Sequence, residues 1–301
     1  MKKKHRVFLL VFFCNFSQGE SKNFLASDIQ YIKIEVLKMD VSFKKSNSKE
    51  IQFDGEGSFS MRLRNGVLEI KDSDYDSKSS WKFFSKSSKK VPTLKIKGPS
   101  KQVSIFGAFV QAHFEKWDSP VFISSHVSEI SGTKNSSLWN VFSKKSKINF
   151  SDHKGDFNFK GFSLIAKLKN FSETKSQFDF NDGSLKLTKG SGDIFFTTDK
   201  AKVSIKDFRG NLVGATRSGF IHVTMRVDQK VEVSSKESEM HFHFKKTGSR
   251  FLAYAEKGKI YAPAHMHKEY SGKSLKVTGK MQGPGQGEIS LKTDTGNIHV
   301  Y

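Results

Sequence analysis

The chain has 301 residues, with 51 Lys or Arg against 30 Asp or Glu for a formal charge of +21, and a single cysteine. That composition excludes a disulfide-stapled fold, and no apolar run beyond residue 13 is long enough for a membrane-spanning helix. The charge suits an anionic partner, or simply lysines on exposed strand positions that keep sheets soluble and block edge pairing. Its carrier is lysine: arginine stands only at Arg6, Arg62, Arg64, Arg209, Arg217, Arg226 and Arg250.

Residues 1–19 read as a signal peptide. Lys2, Lys3, Lys4 and Arg6 form a basic head, Val7 to Phe13 an apolar run, and Ser17 and Gly19 the small residues that a signal peptidase reads. Cleavage after Gly19 removes four basic residues and no acid from the +21, leaving about +17. It also removes Cys14, and with it any thiol chemistry. A lipid anchor on Cys14 is the alternative, and the bulk of Phe13 just before it stands against that.

Residues 20–100 read as a β-strand region. Ile32, Ile34, Val36 and then Met39, Val41, Phe43 alternate in two phases, and Phe59, Met61, Leu63 and Val67, Leu68, Ile70 follow a Gly-rich turn. A Ser/Lys/Asp-rich loop is expected from about residue 71 to 90. Strands resume at Leu94 and Ile96 and continue to Ile123, and a second Ser/Lys/Asn-rich break is expected over 132–147.

Residues 101–301 read as a repeat region. From Gly183 to Val227 the chain can be cut in nines: GSLKLTKGS, GDIFFTTDK, AKVSIKDFR, GNLVGATRS, GFIHVTMRV. The third place holds Leu185, Ile194, Val203, Leu212, Ile221, and the fifth Leu187, Phe196, Ile205, Gly214, Val223. Apolar residues two apart mark a strand with one buried face, and a fixed step means that strands stack on copies of themselves. The step recurs at Ile148/Phe150 and Phe157/Phe159, at Val231/Val233 and Met240/Phe242, and at Ile289/Leu291 and Ile298/Val300. Glycine heads many units, as a corner with positive φ or a close backbone approach requires. An antiparallel sandwich with evenly spaced hairpins would give a similar spacing, but Asn-Gly and Asp-Gly turns are scarce between the units. The expected fold is therefore all-β, a parallel β-solenoid of short stacked strands; two or three strands per turn remain open.

The stretch from Ser58 to Ile70, SFSMRLRNGVLEI, resembles the opening of the bacterial β-strand-repeat, adhesin-like families, including the head-GIN-domain type. The Gly-x-Ile units and the ending from Gly287 to Val300 are similar to the closing pattern of those families. The resemblance implies an exported β-solenoid with adhesion as its proposed role. It brings no functional residues.

Candidate chemistry is sparse. Gly190-Ser191-Gly192-Asp193 approaches a calcium-repeat turn, but no neighbouring unit repeats the Asp in register. His241-x-His243 and His265-x-His267 each align two imidazoles on one strand face, where Glu239 or Glu269 could complete a zinc or copper site, yet no third ligand follows from spacing. An exposed polar face explains both pairs, so neither metal nor cofactor is expected. A lyase or glycosidase on a β-helix scaffold is the enzymatic alternative, with Asp152, Asp156, Asp179 and Asp182 as its carboxylates. Acids at turns usually serve backbone hydrogen bonding instead.

The remaining candidates are aromatic residues flanked by lysine: Trp81, Lys82, Phe83 and Phe84 in the first break, and Trp139, Phe142, Lys144 and Lys145 in the second. Such groups suit membrane interfaces and anionic glycans, or fold back as caps. The expectation is an exported, non-enzymatic, adhesin-like protein of the bacterial envelope, at the periplasm or cell surface. Its lysines would meet an anionic polysaccharide or a membrane surface, by diffuse attraction and not by base readout. Export takes nucleic acid off the list of partners.

Overall fold

A computed structural model of the protein describes residues 10–16, 21–72, 91–226, 230–245, 248–283 and 286–301, the first of these as backbone alone. It divides into two units, Met1–Lys144 and Lys145–Tyr301. Among the described residues the regular structure is β throughout, save one 3₁₀ turn at Ala26–Asp28. Most of the strand pairing is parallel.

The first unit contains β1 (Leu10–Phe16), β2 (Ser21–Leu25), β3 (Tyr31–Lys45), β4 (Glu50–Arg64), β5 (Val67–Asp72), β6 (Thr93–Gly98), β7 (Gln102–Glu115), β8 (Val121–Thr133) and the start of β9 (Trp139–Ser151). The two phases read at Ile32–Val36 and Met39–Phe43 belong to one strand, β3, and all six of those apolar side chains are buried. β3 runs parallel to β7, with Ile32 opposite Val103 and Phe43 opposite Phe114. On its other edge it runs parallel to β5 and then β6. The strand that comes early in the chain therefore lies between strands that come later. β7 and β8 continue the parallel ladder, Val103 opposite Val121. At the opposite end β4 pairs antiparallel with β5 and β6, and β1 and β2 pair antiparallel with β4, so the parallel stack ends in strands of reversed direction. Phe43 and Phe114 stack at 4.4 Å in the core, and Trp139 meets Phe114 edge-on at 4.6 Å.

The second unit continues β9 and adds β10 (Phe157–Arg226), β11 (Lys230–Ser235), β12 (Glu239–Phe244), β13 (Arg250–Ala255), β14 (Ile260–Tyr261), β15 (His267–Ser271), β16 (Ser274–Lys280), β17 (Glu288–Thr293) and β18 (Ile298–Val300). Within β10 the backbone returns over itself. Thr198 bonds Thr216, Asn211 bonds Asp193 and Arg217 bonds Asp199, each 18 residues apart. One repeat of the backbone is thus two nine-residue units, which alternate between two lanes of strands. Ile194, Leu212 and Val231 follow one another in the first lane; Val203, Ile221 and Met240 follow in the second. All of these side chains are buried, as period-two patterning requires. Each contributes about 1.5–3 kcal/mol by leaving water.

The glycines that head the units sit at the corners. Gly210 has φ +134 and Gly219 φ +128, and a Cβ on either would lie 2.0 or 2.1 Å from the carbonyl oxygen of Gly192 or Ala201 respectively, 18 residues earlier. Both reasons for glycine, positive φ and close approach, act at once.

The end of the chain does not add a last rung. β17 lies parallel to β11 on one edge and to β13 on the other, and β18 likewise lies between β12 and β14. The C-terminal strands fill a gap that the chain leaves when it passes from β12 to β13. Beyond β13 the stack closes with antiparallel strands, β16 on β13 and β15 on β16.

The leader read at residues 1–19 lies outside the described residues apart from the backbone of β1. The loop with Trp81, Lys82, Phe83 and Phe84 lies outside them altogether. The second break is a correction. β9 begins at Trp139, because Trp139, Val141, Ile148 and Phe150 are alternating core residues, and the break shrinks to a corner ahead of that strand.

Candidate functional site

Two outward-facing ladders of rings stand out, one in each unit. In the first, Phe106, Phe122 and Phe142 lean on one another at 5.6 and 5.5 Å. Lys33 Nζ lies 5.9 Å from the Phe106 ring centre, within reach of a cation–π contact. Phe142 is 43% exposed, and Lys144 and Lys145 are exposed beside it in the chain. Trp139 does not join this surface. It is fully buried against Phe114, so its placement among surface contact residues is corrected: its ring fills the core.

Next to this ladder, Glu35 accepts ion pairs from Lys71 at 2.7 Å and Lys33 at 2.9 Å. Burial acts to raise its carboxyl, but hydrogen bonds and charge from the two lysines outweigh it and hold the group below the usual carboxylate range.

In the second unit the ladder mixes histidine and tyrosine. Parallel register places His222 opposite His241, His241 opposite His299, and Tyr261 opposite His299. The His241 and His299 rings stack at 4.4 Å with 7° between planes, and Tyr261 stacks on His299 at 4.5 Å. Phe220 leans on His241 at 5.2 Å. Glu239 Oε1 lies 2.6 Å from His299 Nε2 and 3.4 Å from His241 Nε2. Its other oxygen, Oε2, accepts from Asn297 Nδ2 at 3.1 Å, and Asn297 Oδ1 accepts the Lys259 backbone N–H at 3.1 Å. Tyr301 Oη lies 3.4 Å from His241 Nδ1. Burial, with the positive neighbours Lys206, His241 and His243, pushes the His222 imidazole down from its ordinary range.

His241 and Glu239 were legible as candidates; His299, Tyr261 and Tyr301 were not. A signal was present nonetheless. In GFIHV and GNIHV, and in Met240-His241-Phe242, histidine takes the place between the two buried residues of a unit. Pairing puts those places side by side. His265 and His267 make no such cluster: His265 Nε2 lies 3.3 Å from the Lys280 carbonyl, and His267 meets Glu269, which also binds Lys276.

Two of the four carboxylates of the enzymatic alternative are engaged by neighbouring turns. Asp152 accepts from Asn170 Nδ2 at 2.9 Å and Asp156 accepts the Lys175 N–H at 2.7 Å. Asp193, the residue that a calcium turn would use, accepts from Asn211 at 2.8 Å. Asp179 and Asp182 are half-buried. A cavity of about 360 Å³ in the first unit is lined by Gln52, Asp54, Glu56 and Lys95, and Gln52 donates to Asp54 at 3.1 Å. A second, of about 410 Å³ in the second unit, is lined by the apolar Phe195, Phe196 and Val213 and by the polar Gln177, Thr197 and Glu232, among others.

No family model matches the chain, and no curated protein matches it. Among solved structures it is similar to a proposed cell adhesion protein from Clostridium sporogenes, at 11% identity over 94% of this chain and 98% of that one, with TM-score 0.21. A proposed adhesin from Bacteroides fragilis shows 10% identity over 95% and 99%, with TM-score 0.36. A proposed lipid-binding protein from Parabacteroides distasonis shows 12% identity over 93% and 96%, with TM-score 0.39. At these values the likenesses assign no function.

Proposed function

We propose that this is an exported, non-enzymatic binding protein of the bacterial envelope, built as a two-lane β-solenoid of about 18 residues per turn. Its lysines and exposed rings meet an anionic polymer or membrane surface. The observation that carries this reading is the outward ladder Phe106–Phe122–Phe142, with Lys33 over one end and exposed Lys144 close in the chain to the other. Rings that are half-buried at Phe106 and Phe122 and exposed at Phe142, flanked by ammonium groups, combine apolar insertion with charge attraction. Lysine supports diffuse attraction better than arginine would, because it is a hydrated point charge and not a planar fork. The occupied carboxylates Asp152 and Asp156 weigh against the glycan-cleaving alternative.

Vesicle cosedimentation tests it. Phosphatidylglycerol vesicles should bind the protein and phosphatidylcholine vesicles should not, with most of the binding lost toward 0.5 M salt, where the screening length is about 4 Å. Lys144→Ser with Lys145→Ser should weaken binding at low salt, and Phe142→Ser should remove what survives at high salt. None of these should lower the melting temperature. Equal binding to both vesicle types, or binding unchanged in the variants, refutes the reading.

A further inference from the structure

Glu239, His241 and His299 converge on the outward side of the neighbouring parallel strands β12 and β18, and we propose that they bind a borderline divalent transition-metal ion, with zinc(II) as its reference member. Two imidazoles and one carboxylate form the donor set that favours zinc, copper or nickel over magnesium and calcium, which prefer all-oxygen cages. The three candidate ligand atoms lie within 4.8 Å of one another. Tetrahedral zinc with bonds near 2.0–2.1 Å spaces its ligands about 3.3 Å apart. The His241 Nε2 to Glu239 Oε1 distance of 3.4 Å already meets that spacing, and the 2.6 Å on the His299 side needs to open by less than an ångström.

Three further observations point to an ion and not merely to stacked rings. His299 Nε2 is buried and makes no hydrogen bond, although the carboxylate oxygen is 2.6 Å away. A cation between the two atoms would satisfy both. The groups behind the ligands are also in place, as metal sites require to fix ring and carboxylate orientation. Asn297 holds the far oxygen of Glu239 and leaves Oε1 free; Tyr301 meets the far nitrogen of His241; Tyr261 covers the face of His299. Finally, ring stacking at 4.4 Å explains why two imidazoles lie parallel, but not why both Nε2 atoms face one carboxylate oxygen. With three protein ligands, a fourth position remains for water. Ligation would also tie β18 to β12, residues 58 apart in sequence, and so fasten the C-terminal strand into its gap.

The test uses the full chain without a histidine tag, stripped with chelator and titrated with zinc(II) by calorimetry. One saturable equivalent is expected, and its loss by at least tenfold in both Glu239→Gln and His299→Ala. His243→Ala, on the same strand but outside the cluster, should bind as the wild type does. Copper(II) on the wild type should give an electron paramagnetic resonance spectrum with two nitrogen donors, a reading that stands even if His299→Ala fails to fold. The proposal is overturned if the wild type shows no saturable zinc binding up to 1 mM or if binding survives both substitutions. It is equally overturned if His243→Ala weakens binding as much as His299→Ala, or if the copper spectrum reports three or more nitrogens.

Discussion

Phe196 and Gly214 test the 18-residue repeat directly. Both hold the fifth place of a nine-residue unit, and a Cβ on Gly214 would stand 2.0 Å from Phe196 Cζ. Gly214 has no positive φ, so the cost of a side chain there is steric alone. Gly214→Ala should destabilise by about 1–3 kcal/mol through overpacking. Phe196→Ala should cost about 3–5 kcal/mol, since the ring is almost fully buried and leaves a cavity. In the double variant the new methyl group enters space that the ring has vacated, so the loss should fall short of the sum by about 1–3 kcal/mol. Urea unfolding followed by far-ultraviolet circular dichroism gives the three values. If the two losses add within about 0.5 kcal/mol, the residues are not neighbours, and the two-lane register is wrong.

Removing residues 287–301 takes out a rung from the middle of a stack, with the buried side chains Ile289, Leu291, Ile298 and Val300. The loss of about 6–12 kcal/mol by burial alone is comparable with the whole stability of an ordinary domain, so the truncated chain should lose cooperative melting; an unchanged melt refutes the inserted strands. For Glu35, a carboxyl held below its unfolded value stabilises the fold above the unfolded pKa of about 4.3, and that stability disappears as pH falls through the folded pKa. Melting temperatures of the wild type should therefore fall more steeply on acidification than those of Glu35→Gln, and parallel curves would show that Lys33 and Lys71 do not hold it.

Local patterning was enough to read the strands and their buried sides. Leu185, Leu187, Ile194, Phe196, Val203 and Ile205 are all core residues because side chains alternate across a strand, and that alternation is written into any short window. The same windows misjudged residues 132–147. Their lysines occupy outward places while Ser143 and Ser146 turn inward, and Trp139, read there as a contact residue, belongs to the same inward set. The nine-residue step gave one strand length but not the partner, since parallel neighbours are joined through distant residues and every unit presents the same two apolar places. Only the tertiary structure decided that Phe196 lies against Gly214, and that β18 enters between β12 and β14. The histidine cluster follows from that second decision. His241 and His299 each stand at the outward place of an ordinary unit, and they become neighbours because a parallel ladder leaves backbone groups open on both edges for a strand that arrives late in the chain.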